Sequence, residues 1–234
     1  MSVSRLMQMA QAGVPADDMI VEYVSSYFIP YFSGTSFSQS VDTGTNTYAG
    51  YTRYVLCAHG NLNAFGTTIW SGNTPTLGGT STTVIANLIS STSYLFGYVW
   101  SIQETATTGS QTYALTLNSN SAGAGIFVFN VFVKGGVPTL HDSDTATGSD
   151  GGISLSVPEG LNVVLMAAIP QNDSISIGGT VGITDSGKVA SGDVNSGEIA
   201  TAAFKEDVAS GTKTITTSGG QGVSVVTGIT LKLT

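Results

Sequence analysis

Apolar positions in this chain fall into short blocks separated by turn-forming residues, not into long stripes at helical spacing. Residues 51–60, YTRYVLCAHG, and 161–170, LNVVLMAAIP, are nearly uninterrupted apolar runs, each preceded by a turn with Gly50 or Pro158-Glu159-Gly160. Runs of this length bounded by turn signals predict central strands buried on both faces. The two runs echo one another, Val55-Leu56 falling on Val164-Leu165 and Ala58 on Ala167. The echo continues in order, 100–113 matching 202–215 (Ile102 with Phe204, Glu104 with Glu206, Gly109 with Gly211) and 127–134 matching 225–232. Copies that keep strand blocks while shortening the loops between them are what a duplicated β domain looks like.

Around these runs, residues 94–102 alternate an aromatic side (Tyr94, Phe96, Tyr98, Trp100, Ile102) with a smaller one, and residues 111–117 and 212–217 alternate Thr with other residues. Strands every 8–12 residues joined by Gly, Ser and Asn turns predict antiparallel sandwiches. The expected fold is all-β: two tandem antiparallel β-sandwich domains of jelly-roll or Ig-like type, formed by internal duplication, at 34–136 and 137–234. An amino-terminal arm, residues 1–33, precedes them and belongs to neither copy. Ser4 and Gly13 bracket a short helix expected in that arm, and Pro15 opens a second segment. Ile20, Val21, Tyr23, Val24, Tyr27, Phe28, Ile29, Tyr31 and Phe32 need a surface to cover, and two are open: the first domain, with the arm as an extra strand, or another subunit.

Only 9% of residues are charged, with 15 Asp and Glu against 7 Lys and Arg. That balance supplies no basic patch for nucleic acid. Few charges also leave little to oppose packing against neighbours, so a homo-oligomer is expected. The single Cys57 excludes an internal disulfide and reads as a small buried hydrophobe. No signal-peptide core and no apolar run long enough for a membrane helix is present, so no membrane partner is expected.

Chemistry-bearing groups are sparse. Cys57 and His59 share a strand face, but no second pair completes a metal site. The stretch His141-Asp142-Ser143-Asp144, with Asp150 further on, holds oxygen ligands at alternate positions, yet without the ordered calcium loop, so an interdomain linker is the expectation there. Glu104, Glu159, Glu198, Glu206 and Asp207 are the carboxylates available to a glycosidase pair. Glu104 and Glu206 occupy matched turns, which points to a structural duty. No nucleophile elbow, phosphate loop or zinc-protease motif occurs. The expectation is no enzyme, no cofactor and no metal.

The blocks SVPEGLNVVLMAAI (156–169), IGGTVGIT (177–184) and AAFKEDVASGTKTITT (202–217) carry a resemblance, with YAGYTRYVLCAHGN (48–61) and YVWSIQETATTGSQTYALTL (98–117) as the first copy. They resemble β-sandwich modules of virion proteins of tailed bacteriophages and of some large bacterial surface proteins. The opening MSVSRLMQMAQAG is similar to the amino ends of small phage structural proteins. The resemblance implies a virion component, a capsid-surface decoration (cement) protein whose arm docks on major capsid or tail subunits through Ile20, Val21, Tyr23, Val24, Tyr27, Phe28, Tyr31 and Phe32. The rival reading is a tail-fibre or adhesin module that holds host glycans at Trp70 and Asn73, since an aromatic face with amide neighbours suits sugar rings. Copy two replaces the aromatics of its core strand with small residues, which calls for a partner that completes it.

Overall fold

The computed structural model describes residues 19–29, 36–42, 44, 52–60, 76–81, 83–89, 95–103, 109–116, 123–133, 138–148, 152–170, 176–195, 198–218 and 224–232. The protein is all-β and antiparallel, with no α-helix among these residues. The first half contributes β1 (Met19–Ile29), β2 (Ser36–Asp42), β3 (Thr52–Gly60), β4 (Thr76–Leu77), β5 (Thr80–Ser81), β6 (Thr83–Ile89), β7 (Leu95–Gln103), β8 (Ser110–Thr116) and β9 (Gly123–Val133). The second contributes β10 (Thr139–Gly148), β11 (Gly152–Val157), β12 (Asn162–Pro170), β13 (Ser176–Gly178), β14 (Lys188–Asn195), β15 (Glu198–Glu206), β16 (Gly211–Ser218) and β17 (Ser224–Lys232). A 3-10 turn, Asp185–Gly187, precedes β14.

Two five-stranded sheets run β1-β9-β3-β7-β6 and β10-β17-β12-β15-β14. Two smaller sheets run β2-β8-β4-β5 and β11-β16-β13. Read by chain order within each half, the strand order is the same in both, apart from the two-residue β5. The apolar runs that dominate the sequence are β3 and β12, each third of five strands.

The double-sided burial expected of such runs holds for β12. Val163, Leu165 and Ala167 enter one core, while Val164, Met166 and Ala168 enter another. The second of these cores lies against the smaller sheet, where β11 alternates buried Ile153, Leu155 and Val157 with exposed Ser154 and Ser156. A period of two is what a strand with one wet face requires. Exposed Thr212, Thr216 and Ser218 of β16 continue that hydroxyl-bearing face, as do Ser38, Ser40, Ser110 and Thr112 on the small sheet of the first half.

The other core lies between the halves. Val21, Phe127, Phe129 and Val131 of the first five-stranded sheet meet Val163, Leu165, Ala167, Ala200, Ala202, Ile229 and Leu231 of the second. In this stack β1 lies over β14, β3 over β12, β7 over β17 and β6 over β10. Every edge strand of the two sheets carries a bulge: β1 at Tyr23/Ser25, β6 at Val84/Ala86, β10 at Leu140/Asp142 and β14 at Lys188/Ala190. Bulges break the regular row of open N–H and C=O groups that would otherwise invite strand addition.

Of the two surfaces left open for the arm, residues 19–29 take the one within the first half: they form strand β1, registered on β9 from Met19↔Val133 to Ile29↔Ala124. The physical reason is that β9 has eleven residues, enough to satisfy β1 along its whole length, and β1 in turn covers Phe127 and Phe129. The rest of the expected arm lies outside the described residues.

Candidate functional site

Part of the cluster singled out for docking packs within the chain. Val21 is 1% exposed and belongs to the core between the halves. Tyr23 packs on Phe129 with ring centroids 5.7 Å apart, and Phe28 meets Phe127 edge-on at 5.9 Å. Phe129 extends the contact to Phe204 of the second half at 6.0 Å. Ile20 stands opposite Phe132 in the ladder, half-buried Val24 lies beside Gly44, and the Tyr27 hydroxyl accepts the Asp42 N–H. Burial pushes the Tyr23 phenol above its ordinary range, against a hydrogen bond with Ser26 that works the other way. Tyr31 and Phe32 lie outside the described residues, as do Trp70 and Asn73 of the glycan reading.

The small residues of the second half receive these rings. A Cβ built at Gly192 would lie 2.5 Å from the Phe28 ring, so β14 approaches β1 as closely as glycine allows. On the neighbouring strands a Cβ at Gly125 would overlap the Ala200 methyl. The partner completing the alanine-rich β15 is the aromatic face of the first half.

The His141–Asp150 stretch is not a linker loop over its described part: Thr139–Gly148 is β10. Its carboxylates close the edge of the neighbouring sheet. Asp142 Oδ2 accepts the Ser156 N–H at 2.6 Å and Asp144 Oδ2 the Ser154 N–H at 2.8 Å, while their Oδ1 atoms take Ser143 and Thr145 N–H. Alternate residues of β11 turn their N–H groups away from β16, and β10 supplies an acid for Ser154 and one for Ser156. Asp150 lies outside the described residues. His141 Nε2 is 3.3 Å from Ser156 Oγ, both on exposed side chains, and the adjacent acids are engaged with backbone N–H groups rather than with the imidazole.

The remaining acids are scattered. Glu159 and Asp207 are exposed in turns, Glu206 stands opposite Val163, Glu198 opposite Asn195, and Glu104 lies outside the described residues. Cys57 and His59 occupy alternate positions of β3, opposite Ile126 and Ala124.

Sequence reasoning missed Asn162. It is 3% exposed, and its Nδ2 donates to Val208 O at 2.9 Å, Gly160 O at 3.0 Å and Pro158 O at 3.2 Å. Its Oδ1 accepts the Val208 N–H at 3.0 Å, and its own carbonyl accepts the Asp207 N–H. One amide thus fastens the turn before β12 to the turn after β15, where Asp207 holds φ 54. The available signal was an amide in second place in an apolar run that follows Pro-Glu-Gly. Asp185 plays a lesser version of this role, accepting the Ile177 N–H at 2.7 Å and pairing with Lys188 at 3.1 Å. The first of these bonds, then Lys188, holds its carboxyl below the ordinary range.

No protein-family model matches the chain, and a search of curated proteins finds no match. Among the described residues no group of His, Cys, Asp or Glu is placed to hold a metal, and no helix is long and apolar enough to cross a membrane.

Proposed function

We propose that the chain is a non-catalytic structural component of a tailed-phage particle, a capsid-surface decoration protein. On this reading it consists of two tandem antiparallel β-sandwiches formed by internal duplication. One observation carries the reading: two halves of the same strand order are buried face to face, leaving sparsely charged, hydroxyl-bearing sheets outward. The acids and amides described above bind strand edges and turns, which suits a rigid building block better than a reaction centre. The sequence resemblance supplies the particle.

Because β1 belongs to the sheet, docking passes to the eighteen residues before it, with Leu6, Met7 and Met9 as apolar anchors for capsid or tail subunits. Electron microscopy of particles with and without the protein tests the location. Added density on the head supports decoration, and unchanged heads overturn it. A chain beginning at Met19 keeps every described strand, so it should unfold like the full chain yet lose particle binding. Retained binding would move the attachment point elsewhere on the surface.

A further inference from the structure

The stacking of the two large sheets follows a two-fold pattern. Relating each strand to its counterpart in the other half, β1 over β14 is mirrored by β10 over β6, β7 over β17 by β15 over β9, and β3 over β12 by itself. A self-complementary interface of this kind normally joins two identical subunits. Here the two faces have diverged in side-chain size, and the ladders show where.

Ala58 lies opposite Gly125 and Ala167 opposite Thr227. With Ala58 and Ala167 as matched positions, Thr227 holds in the second half the place of Gly125 in the first. By the same matching Phe28, opposite Gly125, corresponds to Thr145, opposite Thr227. Ala58 also pairs with Gly97 and Ala167 with Ala202, so Leu95 holds the place of Ala200.

These exchanges decide which faces fit. Gly125 leaves no room for a Cβ against Ala200. Two second halves would bring Thr227 against Ala200 there and leave Thr145 over Gly192, where the Phe28 ring now sits. Two first halves would bring Leu95 against Gly125. Either pairing forces the sheets apart at one point or opens a void at another, and packed interiors tolerate neither.

We infer that the face of the second half is a partner-specific recognition surface whose fitting partner is the aromatic face of a first half, its own or that of a second copy of this chain. Gly125, Gly192, Ala200 and Phe28 set that choice. The interface therefore works between molecules as well as within one, by exchange of halves, wherever the covalent connection does not enforce the internal pairing.

The test uses the full chain with a protease site inserted in the connector between Val133 and Pro138. The protein is folded first and cut afterwards. Cut halves should co-elute in gel filtration. When 15N-labelled and unlabelled cut protein are unfolded and refolded together, native mass spectrometry should show labelled first halves with unlabelled second halves and the reverse, alone beside the parental pairs. Pairs of two first halves or two second halves, or halves that separate or fail to rejoin, overturn the inference. A second measurement needs no refolding. Phe28→Thr, which installs the residue of the second half, should weaken the association of cut halves about tenfold or more. An unchanged dissociation constant would sink the size-matching argument.

Discussion

Replacing Asn162 should cost more stability than replacing any other polar residue described. Asn162→Ala strips the partner from the Val208 N–H and from the Val208 carbonyl, both buried, and from two partly exposed carbonyls at Pro158 and Gly160. An orphaned buried donor or acceptor costs about 1–3 kcal/mol, and the partly exposed carbonyls recover water at little loss. The expected sum is about 3–5 kcal/mol, against a total stability of about 5–15 kcal/mol for ordinary domains. For a chain of this size that corresponds to a fall in Tm of roughly 6–20 °C by calorimetry. Asn162→Asp separates hydrogen bonding from cavity formation, because the shape is kept while an oxygen replaces the amide donor. That carboxyl would face three carbonyl oxygens and could donate only as the neutral acid, so its folded pKa would rise above the unfolded one. A raised acid pKa makes the folded state bind more protons, so stability is greatest at low pH and falls as pH climbs past the unfolded value. The Tm deficit of Asn162→Asp relative to wild type should accordingly shrink between pH 7 and pH 5. A deficit independent of pH, or an Asn162→Ala Tm within about 2 °C of wild type, would refute the reasoning.

Gly192→Val should destabilise strongly and be partly rescued by Phe28→Leu, while Gly160→Ala, at φ 81 with open space around it, should show a small backbone penalty that no core substitution relieves; chemical denaturation of the four variants checks this. Thr227 and Thr230 bury hydroxyls that have no hydrogen-bond partner, so Thr227→Val and Thr230→Val should hold or raise Tm, and a fall in both would show that the hydroxyls are satisfied. Asp185 has a depressed pKa, so its contribution is present above the ordinary carboxylate range and is lost as pH falls through the depressed value. The protection factor of the Ile177 amide, its exchange rate relative to the intrinsic rate at the same pH, should therefore fall in acid, and Asp185→Asn should remove that change in protection.

Most of the strand inventory was legible because strands with one wet face declare themselves, as GISLSV does in β11, and doubly buried ones read as unbroken apolar runs, as in β12. Registers were less legible. The sequence echo equates Val128 with Val226, but Val128 lies opposite Val55 and Thr230 opposite Val164, so the ladders equate Val128 with Thr230. Alternation repeats every two residues, and an alignment slipped by four keeps every face correct. The arm could be read as an extra strand, but the choice between that and another subunit stayed open because its partner β9 lies a hundred residues downstream, and both its faces carry apolar residues, so nothing local says which one is covered. Asp142 and Asp144 read as a loop because Asp and Ser favour turns, whereas the structure uses those acids as edge caps. The position of Asn162 hinted at a turn, but its bonding was not legible, because the four bonds reach two turns that only the folded sheet brings together.

The core shared between the halves also bears on synthesis. Chains are made at about 5–20 residues per second, so the second half follows the first by roughly 5–20 s. During that interval the first large sheet has nothing to cover Phe127, Phe129 and Tyr23. A nascent chain stalled there presents an aromatic, uncharged face to the cytosol, the condition under which chaperones bind and neighbouring ribosomes on one message seed aggregates. Folding yield in the cell should thus depend on the speed with which codons beyond Pro138 are translated, even though none of them encodes the aromatic face itself.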